Sequence, residues 1–382
     1  MIPYVQFRSS LDIPPPYSMP GVTVHAFVWD APVKAVQAYC DRYFNLGDAA
    51  DRGWTYGPAA IWPYVMLLVI DYPVMSYAGP PTPESDPGEV PLRDRGYVSQ
   101  QEVFVAIPVM RRGTTPAKLL MNSSIEMALP FIVVGEPMSA VCGREMLGLE
   151  KLLADITLGE SACQGSFSAQ VRLPGWASLN HLEPQQMLPF LEVETGPAAP
   201  TFHGTSRQNS LWTLFDSQTV GKAVSAMTTV GDFVETASVG LLPTSMNTVS
   251  LKQIRDAKDP DRALHQSLVC CRSKYSCLEN FRFFKEDDVK VTFHNQGSFC
   301  EILKVFLDVP ENTSVDKSVD RPFSPVVKAA FKFNANIHFD DMRTLHTFAV
   351  SPGPGLPPAK IMDDTLSQGF RLLRNFLAKP AS

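Results

Sequence analysis

Alternating apolar and polar positions predict strands in this chain, and other segments have the spacing of helices. We expect strands where alternation or a short apolar run is bounded by turn residues, at 22–29, 62–72, 96–110, 127–134, 281–299, 302–309 and 326–339. Apolar residues recur at helical spacing in 211–229, 250–258, 260–272 and 363–379. A further helix, nearer the N-terminus, is predicted to begin at Asp30, with Asp30 as its N-cap and Pro32 in its first turn. The pattern therefore predicts an antiparallel sheet with flanking helices, an α+β fold.

Proline and glycine interrupt this pattern often. The 382 residues include 33 prolines and 23 glycines, which break long helices and mark turns. No internal repeat and no shift in composition marks a boundary between domains. We therefore predict one domain over residues 1–382, with an elaborated C-terminal part from about residue 280 to residue 382.

Charge and hydropathy exclude several classes of partner. The formal net charge is -6, and without a concentrated basic face we expect no nucleic-acid binding. The most apolar stretch, residues 59–74, is interrupted by Pro63, Asp71 and Pro73 and is too short to cross a bilayer, so we predict no membrane partner. Residues 1–10 lack the cationic start and apolar core of a signal peptide, which predicts a cytoplasmic location.

The cysteines predict free thiols rather than a disulfide framework. There are 7, an odd number, so they cannot all be paired with one another. Cys270, Cys271 and Cys277 cluster, but no histidine or cysteine lies at zinc-site spacing around them. Neither a metal nor an organic cofactor is predicted.

A lysine among leucines is the candidate reactive group. The glycine-rich nucleotide motifs, the nucleophilic-serine motif and the paired-histidine zinc motif are absent, and Lys151 stands out in the segment 140–156. An apolar environment disfavours the ammonium form of a lysine, and the neutral amine can attack a ketone to form an iminium. The residues alone also allow a surface lysine whose stem lies across leucines while its head reaches water.

Three segments of the chain resemble acetoacetate decarboxylases. Residues 143–151 (GREMLGLEK) resemble the family's Gly-Arg-Glu, apolar patch and Pro-Lys-Lys. Residues 97–109 (YVSQQEVFVAIPV) resemble its strand with a glutamate six residues before Pro-Val, and residues 24–44 resemble its early strand, which turns into a helix.

This resemblance implies both a fold and a site. The fold would be an antiparallel β-sheet or cone-like barrel that encloses a pocket, with flanking helices. Lys151 would form the Schiff base, and Glu102 would act as acid or base. Arg144 and Glu145 would support the lysine-bearing turn as an ion pair.

The chain departs from the family pattern at three positions. Glu150 replaces the proline before the lysine, Leu152 the second lysine, and Val28 the arginine of the early turn. Two positive charges are thereby lost, so burial would have to activate Lys151, and a larger keto acid than acetoacetate is the expected substrate. The resemblance does not locate the family's other active-site glutamate, and for Asp71, the only nearby carboxylate, we expect a role at a strand end.

The sequence therefore predicts an enzyme, a lyase that forms an iminium with a keto acid or polyketide-like carbonyl substrate. Decarboxylation in a biosynthetic setting is the leading reaction, with aldol, dehydration or cyclisation chemistry in the same pocket as the alternative. A protein of another class, which binds an apolar ligand beside an unreactive lysine, also fits. The family forms oligomers, so the resemblance allows for a homo-oligomer.

Overall fold

The computed structural model describes residues 13–59, 64–80, 94–115, 124–160, 165–176, 184–198, 245–294 and 322–348. Strands hold 64% of the described residues. The predicted helices at 211–229 and 363–379 and the predicted strand at 302–309 lie outside this part of the chain.

The described part contains thirteen strands and few helices. The strands are β1 (Tyr17–Asp30), β2 (Trp54–Pro58), β3 (Tyr64–Tyr77), β4 (Tyr97–Gly113), β5 (Ser124–Val134), β6 (Lys151–Leu153), β7 (Asp155–Glu160), β8 (Phe167–Gly175), β9 (Gln186–Thr195), β10 (Ser245–Arg255), β11 (Ala263–Phe283), β12 (Val289–Phe293) and β13 (Ala329–Phe348). The helices are α1 (Val33–Tyr43), α2 (Ala49–Arg52) and α3 (Pro137–Leu147), with a 3-10 turn at Glu286–Asp288.

Most strands belong to one large sheet. Its 9 strands follow the order β2-β4-β3-β1-β13-β11-β10-β5-β6. In addition, β4 pairs with β5, so the series of paired strands that leads from β4 to β5 returns to β4. The pairs are antiparallel except those of β5 with β10 and β6. A second sheet of 4 strands has the order β12-β9-β8-β7.

The predicted fold class is therefore right in part. The described residues are mostly β with few helices, and their sheets are mainly antiparallel, as expected, whereas two helices predicted for the α+β fold lie outside these residues. The cone-like barrel with an enclosed pocket stays a prediction.

Alternation along β4 divides the interior into two cores. Val103 and Val105 belong to a larger core that also includes residues of the 4-stranded sheet. Phe104 and Ala106 belong to a second core, built from strands of the large sheet. Because side chains alternate between the faces of a strand, Glu102 lies on the face of the second core.

Two predicted helices are wrong. Residues 250–258 and 260–272 fall largely in β10 and β11, and the whole of β10 pairs with residues 263–274 of β11. Val269, Cys270 and Cys271 are buried in succession, so both faces of β11 are covered there. A strand buried on both faces loses the alternation that identifies it, and its apolar run resembles a helix.

The start of α1 also differs from the expectation. Asp30 ends β1, and the helix begins at Val33, with Pro32 in the capping position and no side-chain capping bond. The proline, whose fixed φ suits a helix start, therefore marked the beginning of α1 correctly, whereas Asp30 as its cap was wrong.

Candidate active site

A buried ion pair joins the two residues that the sequence singled out. Lys151 Nζ lies 2.6 Å from Glu102 Oε2, and the side chains are 9% and 7% exposed. Of the ion pairs between described residues, it is the only one in which neither side chain exceeds 9% exposure. This burial contradicts the alternative of a surface lysine whose head reaches water.

Neighbouring strands bring this pair together. Glu102 on β4 faces Val134 on β5, and Lys151 on β6 faces Ile132 on β5. Residues that face each other across paired strands, and residues two apart along one strand, share a face of the sheet. Lys151 and Glu102 therefore lie on the same face, one strand apart, and the long lysine side chain spans the gap.

Helix α3 supports the lysine at its head. The Glu136 side chain caps the start of the helix by accepting a hydrogen bond of 2.6 Å from the Ser139 backbone N–H. The Ser139 hydroxyl in turn accepts a hydrogen bond of 3.0 Å from Lys151 Nζ. At the other end, the Ser250 hydroxyl donates to the Leu147 carbonyl, which anchors the last turn to β10.

Two glycines let the chain fold back along α3. Gly148 ends the helix with a φ of +67°, and a Cβ there would lie 2.5 Å from Lys252 Cα. A Cβ on Gly143 would lie 2.7 Å from Lys151 Cδ and 2.8 Å from Cε. The lysine stem thus packs directly on the helix backbone at Gly143, while Gly148 is required by its positive φ and by the close approach of Lys252.

Buried polar and sulfur groups surround the pair. Gln100 Nε2 donates to Glu102 Oε2 at 3.4 Å, and Tyr72 faces Gln100 across β3 and β4. Burial, and then the negative charge of Glu102, raises the pKa of Tyr72 well above its usual value, so its phenol stays protonated. Burial raises the pKa of Cys271 to about 12, although the charge of Lys151 acts in the opposite direction.

The other residues predicted for the site lie farther from its centre. Arg144 and Glu145 are exposed on α3, whereas the lysine packs on the buried side of that helix at Gly143. Their role as a supporting ion pair stays a prediction. Cys142 is buried, 2% exposed, in the same helix.

Two of the positions that depart from the family pattern pack against other parts of the protein. Leu152 packs against the larger core, and Val28 belongs to a small cluster with Tyr64. Asp71 lies within β3 rather than at its end, and it accepts a hydrogen bond of 3.2 Å from Gln101. The strand-end role expected for Asp71 is therefore wrong.

Sequence reasoning missed Ser139 and Gln100. Gln100 precedes Glu102 by two residues in a predicted strand, so alternation could have placed both on one face. Ser139 follows Glu136 and Pro137 at the spacing of a capped first turn, but nothing in the sequence shows that this turn meets Lys151.

The described residues also bear on metals, thiols and membranes. Within them, no group of three or more histidine, cysteine, aspartate or glutamate side chains could hold a metal ion. Cys40, Cys270 and Cys271 are buried thiols outside any disulfide, and Cys277 is an exposed one. None of the helices in this part of the chain has the length and apolar character needed to cross a membrane.

Comparison with known proteins gives structural neighbours only. No family model and no curated protein matches the sequence. Acetoacetate decarboxylase from Legionella pneumophila is similar, with a TM-score of 0.49 and 9% identity over 91% of this chain and 93% of that chain. Another acetoacetate decarboxylase has a TM-score of 0.46 and 10% identity over 90% of this chain and 94% of that chain. An acetoacetate decarboxylase-like enzyme from Sphingomonas wittichii RW1 has a TM-score of 0.45 and 11% identity over 90% of this chain and 98% of that chain. Acetoacetate decarboxylases and a decarboxylase-like enzyme are thus among the solved structures that this chain resembles.

Proposed function

We propose that this chain is a lyase in which Lys151 forms an iminium with the carbonyl carbon of a keto acid or polyketide-like substrate. The observation that carries the proposal is the buried contact of 2.6 Å between Lys151 Nζ and Glu102 Oε2. The attraction between two buried charges offsets only part of the cost of removing them from water. Such a pair therefore contributes little to stability. A lysine beside a proton acceptor is, by contrast, suited to become a nucleophile.

Glu102 takes the proton that Lys151 must lose. An ammonium group has no free electron pair, and transfer of one proton to Glu102 converts the ion pair into a neutral amine and a neutral acid. A substrate that enters and excludes water favours the neutral pair. Ser139, at 3.0 Å from Nζ, holds the amine in place during this transfer.

The amine then adds to the keto carbon, and one proton of its nitrogen moves to the carbonyl oxygen, which becomes a hydroxyl group. Glu102 returns its proton to this hydroxyl, the C–O bond breaks, and water leaves. The products are a positive iminium on Lys151 and a negative carboxylate on Glu102. The resting ion pair has the same arrangement of charges, so the site is already organised for the intermediate.

The iminium accepts the electrons of a bond to the neighbouring carbon. In decarboxylation, the leading version, a β-keto acid loses carbon dioxide and leaves an enamine, which is protonated and hydrolysed to free the lysine. In the second candidate, the same electron flow cleaves or forms an aldol bond, or eliminates water. Leu152 favours the second candidate, since it supplies no charge to hold a substrate carboxylate and packs toward the larger core.

Reductive trapping tests the proposal. The protein is incubated with β-keto acids and methyl ketones in the presence of borohydride, and adducts are mapped by intact-mass and peptide mass spectrometry. We expect one stable adduct on Lys151 in the wild type and none in Lys151→Met. Release of carbon dioxide from the keto acids then separates decarboxylation from aldol chemistry.

Lys332 offers a matched control. It is a second buried lysine, 9% exposed, and it pairs with Glu160. Lys332→Met is expected to form the Lys151 adduct as the wild type does. If the folded wild type gives no adduct with any carbonyl compound, the iminium mechanism is wrong, and binding of an apolar ligand beside an unreactive lysine takes its place.

A further inference from the structure

The amide of Gln100 is buried but only partly hydrogen-bonded. The residue is 4% exposed, and its Nε2 donates to Glu102 Oε2 at 3.4 Å. Its Oε1 is buried and has no hydrogen-bond partner among the described residues. Buried acceptors are almost always satisfied in native proteins, so an unmet one beside a reactive pair indicates a group that a ligand completes.

Glu102 determines which way this amide points. If the amide were turned over, the Gln100 carbonyl oxygen would face the Glu102 carboxylate, and two acceptors would repel each other. The N–H group therefore faces Glu102, and the carbonyl oxygen is left for a donor from outside the described residues.

The unmet oxygen lies on the reacting side of the strand. Gln100 and Glu102 are two residues apart on β4 and so share a face. The oxygen of Glu102 that receives the Gln100 N–H is the same atom that lies 2.6 Å from Lys151 Nζ. A carbonyl carbon bonded to that nitrogen therefore holds its nearest substituents close to the Gln100 amide.

We infer that Gln100 Oε1 accepts a hydrogen bond from a hydroxyl group of the substrate, one or two carbons from the carbonyl carbon that Lys151 attacks. This inference rests on the proposed function and narrows its substrate to hydroxylated ketones or keto acids. A neutral amide oxygen only accepts, so it favours a hydroxyl group over a methyl group or a carboxylate. A buried site that hydrogen-bonds a hydroxyl rejects the analogue without it, because the acceptor is then left unmet.

Two matched pairs of ketones test this inference. Hydroxyacetone is compared with butanone, and 4-hydroxybutan-2-one with pentan-2-one, so that a methyl group replaces the hydroxyl at similar size. The rate of cyanoborohydride trapping on Lys151 is measured by intact mass and divided by the rate with a free amine, which removes differences in intrinsic reactivity. We expect the hydroxylated member of at least one pair to react about 10-fold faster, the effect of one buried hydrogen bond.

Substitutions on the two faces of β4 show which side chain causes the preference for the hydroxylated ketone. Gln100→Met keeps the length of the side chain without the amide, and we expect it to lose the preference: the ratio of the rates for the hydroxylated and the plain ketone falls to about 1, whatever happens to the absolute rates. Gln101→Met is the matched control, because Gln101 bonds Asp71 on the opposite face and should leave the preference intact.

The outcomes separate this inference from the function on which it rests. Adducts on Lys151 with equal rates for both members of each pair, or a preference that survives in Gln100→Met, overturn the role of Gln100 and uphold the iminium. No adduct with any of the four ketones overturns the role of Gln100, and if the β-keto acids give no adduct either, the proposed function is overturned as well.

Discussion

The backbone of Gly143 lies so close to the stem of Lys151 that a Cβ at residue 143 would come within 2.7 Å of the lysine Cδ. Gly143→Ala is therefore expected to displace the lysine head from Glu102. The higher helix propensity of alanine, worth about 1 kcal/mol, offsets part of the cost of displacing the lysine, so stability should change little. Adduct formation should fall by roughly 100-fold, as expected for a reacting group misplaced by about 1 Å.

Trapping rates and urea midpoints measure the two effects separately. Gly135→Ala is the control, since the nearest atom to a Cβ there lies at an ordinary 3.8 Å. That variant should react like the wild type, and a Gly143→Ala protein with an unchanged trapping rate would show that the lysine tolerates the added methyl group.

Removing one member of the buried pair should cost more than removing both. Lys151→Met leaves the Glu102 charge buried without its partner, and we expect a loss of about 3–5 kcal/mol in the free energy of unfolding at neutral pH. Adding Glu102→Leu should restore most of that stability, because an apolar pair can replace a buried ion pair at little cost. Denaturant unfolding of the single and double variants measures both values.

Lys332→Met sets the scale for this comparison. The partner of Lys332 is Glu160, whose side chain is 45% exposed, so its orphaned charge stays hydrated. We expect a loss of only about 1 kcal/mol. Equal losses for Lys332→Met and Lys151→Met would mean that water reaches Glu102.

Ser139 should act on the lysine rather than on the substrate. Ser139→Ala removes the hydrogen bond of 3.0 Å to Lys151 Nζ and leaves the ion pair with Glu102 in place. We expect a loss of about 1 kcal/mol in stability and roughly 10-fold in trapping rate, the size of one buried hydrogen bond. Ser267→Ala, at a serine 1% exposed, controls for loss of a buried hydroxyl and should leave trapping unchanged.

His25 should make the fold sensitive to mild acid. Its side chain is 4% exposed and stacks on Phe167, with 3.6 Å between the ring centroids. Burial, with a smaller contribution from the charge of Lys332, lowers the pKa of His25 from 6.5 to about 4. Between these values the unfolded chain binds a proton that the folded chain does not. This contribution to stability is therefore complete above pH 6.5 and is lost as the pH falls to about 4, by roughly 3 kcal/mol.

His25→Phe isolates this effect from other titrating groups. The difference in unfolding free energy between wild type and variant, followed from pH 7 to pH 4, should change in favour of the variant as the pH falls. His338→Phe, at an exposed histidine, should show no such trend. A parallel pH dependence for wild type and His25→Phe would contradict the assignment.

The sequence and its family resemblance could identify Lys151 and Glu102 because both lie in short motifs. Their contact depends on two strand registers, β4 with β5 and β5 with β6, which alternation constrains but does not specify. Ser139 could not be predicted for the same reason, since its place beside Nζ depends on how α3 packs against β6.

The errors in β10 and β11 have a different cause. In β11, Leu268 and Val269 begin a run of buried apolar residues that carries no alternation, and local pattern cannot separate such a strand from a helix. Partners far along the chain decide the outcome, because β11 pairs with β13 as well as with β10.

The placement of β1 has a consequence for how the protein is made. Tyr17 faces Tyr77 on one side and Phe339 on the other, so the second partner of β1 emerges from the ribosome some three hundred residues later. Until then β1 presents an unpaired edge, which invites pairing with other chains. A nascent chain that stops before Ala329 leaves edges of both β1 and β11 open, and should be aggregation-prone even though Lys151, Glu102 and Ser139 have all been synthesised.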